Sequence, residues 1–139
     1  MTEGTTAAHG TAGAPPPPAS AAAARALVRQ VLADPPVPLS RTAANDMLLV
    51  TSELVTNAFR HGGGLTAFRV TPEAHGLRIA VTDRSPTPPV ARAPGDGPRG
   101  RPGGFGWPLV QRLSRSVTIT PAPAGKTIEA VVAYGTAAG

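Results

Sequence analysis

The 139-residue sequence contains no cysteine, so disulfides, zinc–thiolate sites and thiol nucleophiles are all excluded. Aromatic residues make up only 4% against 41% hydrophobic residues in total, which leaves a core to be built from Val, Leu, Ile and Ala. Lysine occurs once, as Lys126, and the formal charge of +5 and pI of about 11.3 therefore come from scattered arginines rather than a basic run. A positive balance ordinarily raises nucleic acid as a partner. Here no aromatic–basic platform accompanies it, and the Arg-rich, Ala/Gly/Pro-heavy usage reads as the coding bias of a GC-rich genome, so nucleic acid ranks last among partners. His9, His61 and His75 are far apart and show no metal-ligand spacing. No stretch approaches the ~18 apolar residues of a membrane span, and the first residues lack the basic start and apolar run of a leader. A soluble, cytoplasmic protein with no membrane partner is expected.

What is abundant is proline and glycine, 17 and 16 residues, and they divide the chain. Residues 1–19, with Pro15 to Pro18, bury too little apolar surface to offset their ordering entropy and read as a disordered tail. Ser20 reads as the N-cap of a helix over Ala21 to Ala33, with an apolar stripe of Ala23, Leu27 and Val31 flanked by Val28 and Leu32. Asp34-Pro-Pro-Val-Pro38 ends it. Ser40 caps a second helix to about His61, whose Ala44, Met47, Leu48, Thr51, Leu54, Val55 and Ala58 follow the i, i+3, i+4, i+7 pattern. Gly62-Gly-Gly64 terminates that helix.

Leu65 to Thr71 and Leu77 to Asp83 alternate as a hairpin of half-buried strands. Residues 84–104, rich in Pro, Gly and Arg, form a loop too long to be a plain connection, which reads as a lid. A short helix is expected from Trp107 to about Arg115, with Pro108 in its first turn. Ser116 to Thr120 and Lys126 to Tyr134 make a second hairpin, and residues 136–139 fray. There is no internal repeat. The expected architecture is one α+β domain over residues 20–135, a two-layer sandwich with a largely antiparallel mixed sheet and the helices on one face.

Three pieces carry chemistry. Glu53, Asn57 and His61 are four apart and share one helix face. Alone, such a trio is usually a solvated surface, but here it forms a polar stripe inside a nearly all-apolar run. Asp83, which alone would be a strand-ending turn residue, ends a strand with its carboxylate at the sheet edge. Gly103-Gly-Phe-Gly106, which alone could be a flexible cap, runs into a helix N-terminus, where backbone N–H groups and the dipole favour an anion. His61 suits the C-terminal end of its helix, where a cationic or donor side chain is favoured; Ser52 and Thr56 read as surface residues, and Trp107 as packing for the lid.

In this order and on these elements the three pieces resemble the N box and the two glycine boxes of the GHKL ATP-binding superfamily, the Bergerat fold. The short chain with a leading helix is most similar to the anti-sigma-factor serine kinases of the RsbW type and their actinobacterial relatives, and the resemblance covers about Ala21 to Tyr134. It implies Mg-ATP as cofactor, with Glu53 as general base and Asn57 as the metal ligand. It further implies nucleotide contacts from Asn57, Asp83, Gly103, Gly104, Gly106, Leu109 and Thr127, with Asp83 selecting the base through its exocyclic amino group. The implied activity is phosphorylation of a serine or threonine on an antagonist protein, in a regulator that contacts a sigma factor and forms a homodimer through its first helix and sheet face. Arg84-Ser85-Pro86-Thr87 replaces the usual Gly-x-Gly after Asp83, and bulky Phe105 and Trp107 stand in the second box. These departures motivate an alternative: a non-catalytic ATP-binding module that regulates a sigma factor or other partner by contact.

Overall fold

The computed structural model describes residues 16–89 and 103–135. Most of the expected tail (1–15), most of the expected lid (90–102) and the expected frayed end (136–139) lie outside those residues. Two serines start the two long helices. Ser20 Oγ accepts from the Ala23 N–H at 3.0 Å and opens α1, Ala21–Leu32; Ser40 Oγ accepts from the Ala43 N–H at 3.0 Å and opens α2, Arg41–His61. Each cap satisfies a backbone donor that has no partner within its helix. Of the expected stripe on α1, Val28 is buried and Val31 and Leu32 pack partly buried against the core, joined by buried Ala24, while Leu27 is exposed.

α2 buries Met47, Val50, Thr51, Leu54, Val55 and Ala58. Each fully buried Leu, Val or Met contributes about 1.5–3 kcal/mol, which makes α2 the main apolar support of the sheet. Thr51 enters this core at no polar cost because its hydroxyl donates to the Met47 carbonyl at 2.7 Å.

The sheet has four strands, β1 (Leu65–Pro72), β2 (Leu77–Asp83), β3 (Ser116–Ala122) and β4 (Gly125–Val132), in the order β1-β2-β4-β3. Every neighbouring pair is antiparallel, so the sheet is purely antiparallel among the described residues rather than mixed. The two hairpins meet through their second strands, β2 and β4, which places these in the middle. Leu77, Ile79, Val81, Ile128, Ala130 and Val132 face the helices and form the core. On the other face Arg78 bridges Glu73 at 2.6 Å and Glu129 at 3.2 Å, and the Arg78 hydrogen bond holds the Glu73 carboxyl below its usual range. The architecture is thus α+β, with a sheet covered by helices on one side.

The third helix, α3, spans Gly103–Leu113, beginning four residues before the expected start at Trp107. Glycine disfavours helix by about 1 kcal/mol per residue in isolation, and tertiary packing of this segment on α2 overrides that preference. In consequence Pro108 lies inside the helix rather than in its first turn and deprives the Gly104 carbonyl of its usual i+4 donor. Past β4, Tyr134 returns to the domain: its hydroxyl donates to the Glu73 carbonyl at 2.7 Å and accepts from the Glu73 N–H at 3.1 Å. No helix among the described residues is long and apolar enough to cross a membrane.

Candidate functional site

The end of α2 and the end of β2 are sewn together at Gly62. Its N–H and that of Gly64 both donate to the Ala58 carbonyl at 3.1 Å, and Gly63 and Gly64 take positive φ (72° and 121°) to turn the chain into β1. The Gly62 carbonyl then accepts from the Arg84 N–H at 2.8 Å. This fixes Asp83 beside the helix, and a side chain on Gly62 would stand 2.5 Å from Asp83 Oδ2. Asp83 is therefore buried where the helix and the sheet converge.

Around that junction opens a cleft of about 210 Å³. Leu54, Ala58 and Ile128 supply an apolar wall, and Asn57, His61, Asp83 and Lys126 the polar groups, with Thr87 to Pro89 and Trp107 at the rim. An apolar slot with a few convergent polar groups suits a flat heteroaromatic ligand with a polar edge.

Next to the cleft, α3 packs directly on the polar stripe of α2. Gly106 is buried, and a Cβ there would collide with Glu53 Oε1 and lie 3.9 Å from Asn57 Oδ1. The glycine thus lets the helix backbone close over the two side chains. Partial burial pushes the Glu53 carboxyl above its usual range, and the Arg60 charge pulls it partly back. A carboxylate so placed is a stronger base than one in open water. The first turn of α3 contains Gly103 and Gly104, and the backbone N–H groups of a helix's first turn favour an anion.

The structure therefore brings Glu53, Asn57, Asp83 and Gly106 together from three elements, with Gly103 and Gly104 in the adjoining first turn. Leu109 is half-buried on α3 and does not line the cleft. Thr127 requires a correction. It points to the open side of the sheet, where its Oγ1 lies 2.8 Å from Thr82 Oγ1. Strand alternation assigns the cleft side to its neighbours Lys126 and Ile128.

Lys126 is the site residue that the sequence reading overlooked. Its Nζ donates to Asp83 Oδ2 at 2.9 Å and to the Ser85 carbonyl at 3.0 Å, while the Ser85 N–H donates to Asp83 Oδ1 at 2.9 Å. The available signal was its being the only lysine in the chain; its partner, 43 residues away, follows only from the β2–β4 register.

The residues present fit a magnesium–triphosphate ligand. Asn57 offers one hard oxygen beside a helix N-terminus, and the described residues contain no cluster of three His, Cys, Asp or Glu that could hold an ion unaided. A cation here would therefore take most of its ligands from phosphate and water, as Mg²⁺ characteristically does.

Residues 14–132 match the histidine kinase-like ATPase domain family. No curated protein matches the sequence. Among solved structures, the chain is similar to the histidine kinase domain of the Erythrobacter litoralis EL346 blue-light-activated histidine kinase, with 24% identity, coverage of 66% of this chain and 48% of that one, and a TM-score of 0.46. It is also similar to the Erythrobacter litoralis EL346 blue-light-activated histidine kinase at 18% identity, 86% and 42% coverage, and a TM-score of 0.49. The chain thus spans less than half the length of these solved chains. With the family match running over nearly the whole described fold, the chain belongs to the histidine kinase-like ATPase domain family.

Proposed function

We propose that the protein is an Mg-ATP-binding regulatory kinase of the anti-sigma-factor type, which transfers the γ-phosphoryl group of ATP to a serine or threonine on an antagonist protein. The observation that carries this reading is the closure of Gly106 over Glu53 and Asn57 beside a cleft lined by Asn57 and Asp83. Asp83 accepts a hydrogen bond from the base, and Leu54, Ala58 and Ile128 enclose its ring faces. Asn57 Oδ1 would hold the cation, which would neutralise charge developing on the phosphates, and the α3 N-terminus would receive the phosphates. Glu53, half-buried and with its carboxyl raised, accepts the proton of the attacking hydroxyl. The hydroxyl oxygen forms the new bond to phosphorus as the β–γ bridge breaks and ADP leaves.

The protein partners under this reading are a sigma factor, the antagonist that is phosphorylated, and a second copy of the chain meeting through α1 and the sheet. Incubation of the protein with Mg-ATP and candidate antagonists should yield phosphoserine or phosphothreonine on one of them, and Glu53→Gln should abolish it. Absence of transfer from a protein that does bind ATP would favour the non-catalytic module instead. That alternative draws on Pro108 within α3, which removes a donor next to the phosphate-facing turn.

A further inference from the structure

We infer that Lys126 is a base-reading residue, supplying the donor that pairs with N1 of adenine while Asp83 accepts from the 6-amino group. The inference deepens the nucleotide reading of this cleft and rests on it. Asp83 Oδ2 and Lys126 Nζ stand 2.9 Å apart on adjacent strands, both on the cleft side. Together they present an acceptor and a donor side by side. The edge of adenine presents the complement, a donor at the 6-amino group beside an acceptor at N1.

Two features make this pair a reader rather than a structural tie. The first is its burial: the side chains of Lys126 and Asp83 are 7% and 6% exposed. A buried ion pair is a poor source of stability compared with apolar residues of similar volume, but in a dry site an unmatched hydrogen-bonding group on a ligand is penalised heavily. The second is valence. An ammonium has three N–H donors, and among the described residues Asp83 and the Ser85 carbonyl take two, which leaves one on a group that lines the cleft.

The choice of residue points the same way. The chain uses 12 arginines and this one lysine, and a compact ammonium with rotatable donors can keep both protein acceptors and still aim a single N–H at one ring nitrogen, whereas a guanidinium fixes its donors in one rigid fork. Guanine in the same orientation would set its carbonyl oxygen against Asp83 and its N1–H against Lys126, so both contacts would be repulsive.

The test is calorimetric binding of ATP, 1-deaza-ATP, which lacks only the N1 acceptor, and GTP, each with Mg²⁺. The wild-type protein should bind ATP roughly ten- to a hundredfold more tightly than 1-deaza-ATP, the range for one hydrogen bond to a charged group, and GTP more weakly still. In Lys126→Met the ATP and 1-deaza-ATP affinities should fall within about twofold of each other, since neither ligand then has a donor to meet. The wild-type comparison decides the matter even if that variant, which strands Asp83 without its partner, does not fold. Equal wild-type affinities for ATP and 1-deaza-ATP, or tighter binding of GTP than of ATP, would overturn the inference and leave the nucleotide reading standing. Failure of all three nucleotides to bind would overturn both.

Discussion

Gly106 lies against the Glu53 carboxylate with no side chain of its own, and that contact separates catalysis from stability. A methyl group there meets the free end of a flexible side chain, which can swing aside, so Gly106→Ala should leave stability within about 1 kcal/mol of wild type. Displacing the base by an ångström or so should lower phosphoryl transfer at least ~10-fold. Thermal melts and transfer rates measured on the same preparation check this; unchanged transfer would remove Glu53 from the role of base. Glu53 also makes stability depend on pH. Its carboxyl is raised in the fold, chiefly by burial, so the folded protein holds the proton more tightly than the unfolded chain does. The stability from this group is complete below the ordinary value of 4.5 and is lost as pH rises through the raised folded value. Glu53→Gln should therefore raise the neutral-pH Tm, by about 1–3 °C after allowance for solvent screening, and the gain should vanish in acid. A Tm difference that grew on acidification would contradict the assigned cause.

Elements place these residues, and the Tyr134 tether shows how far each contribution reaches. Its hydroxyl serves both the N–H and the carbonyl of Glu73 at the β1–β2 turn, at the opposite end of the sheet from Asp83. Tyr134→Phe should cost about 1–3 kcal/mol in urea unfolding while leaving nucleotide affinity unchanged; a large loss of affinity would mean that the two ends of the sheet are coupled. At this scale the sequence was readable wherever the signal was local. The serine caps, the Gly62–Gly64 stop and the alternation in β2 each depend on a few consecutive residues, and the boundaries of α2 and β2 match them. The start of α3 was not readable, because glycines favour a loop until tertiary contacts, such as that of Gly106 with Glu53 and Asn57, hold the segment as helix. The Asp83–Lys126 pair and the outward turn of Thr127 were hidden for a related reason: strand register is a long-range property, and a one-residue offset exchanges the faces. In α1, Val28, Val31 and Leu32 turn inward as expected but Leu27 does not and Ala24 does, because periodicity gives the spacing of an apolar face but not its exact centre.

In the whole molecule, the cleft forms where four separated segments converge: residues 54–61 of α2, residues 83–89 from the end of β2 onward, Trp107 of α3, and Lys126 and Ile128 of β4. A ligand seated there ties helix to sheet. At a hundredfold excess over its Kd it should stabilise the fold by about 2.7 kcal/mol through mass action alone, so nucleotide binding and global stability are linked readouts of one site. The open face of the sheet, with Arg78 between Glu73 and Glu129, takes no part in the cleft. The most direct measurement is an ATP titration by calorimetry, with and without Mg²⁺, on the wild type and on Asn57→Ala. The expected result is saturable binding to the wild type that Mg²⁺ tightens, with that Mg²⁺-dependent gain lost in the variant. No binding to the wild type, or a Mg²⁺-dependent gain that survives the loss of Asn57, would contradict the assignment of this cleft as a Mg-ATP site.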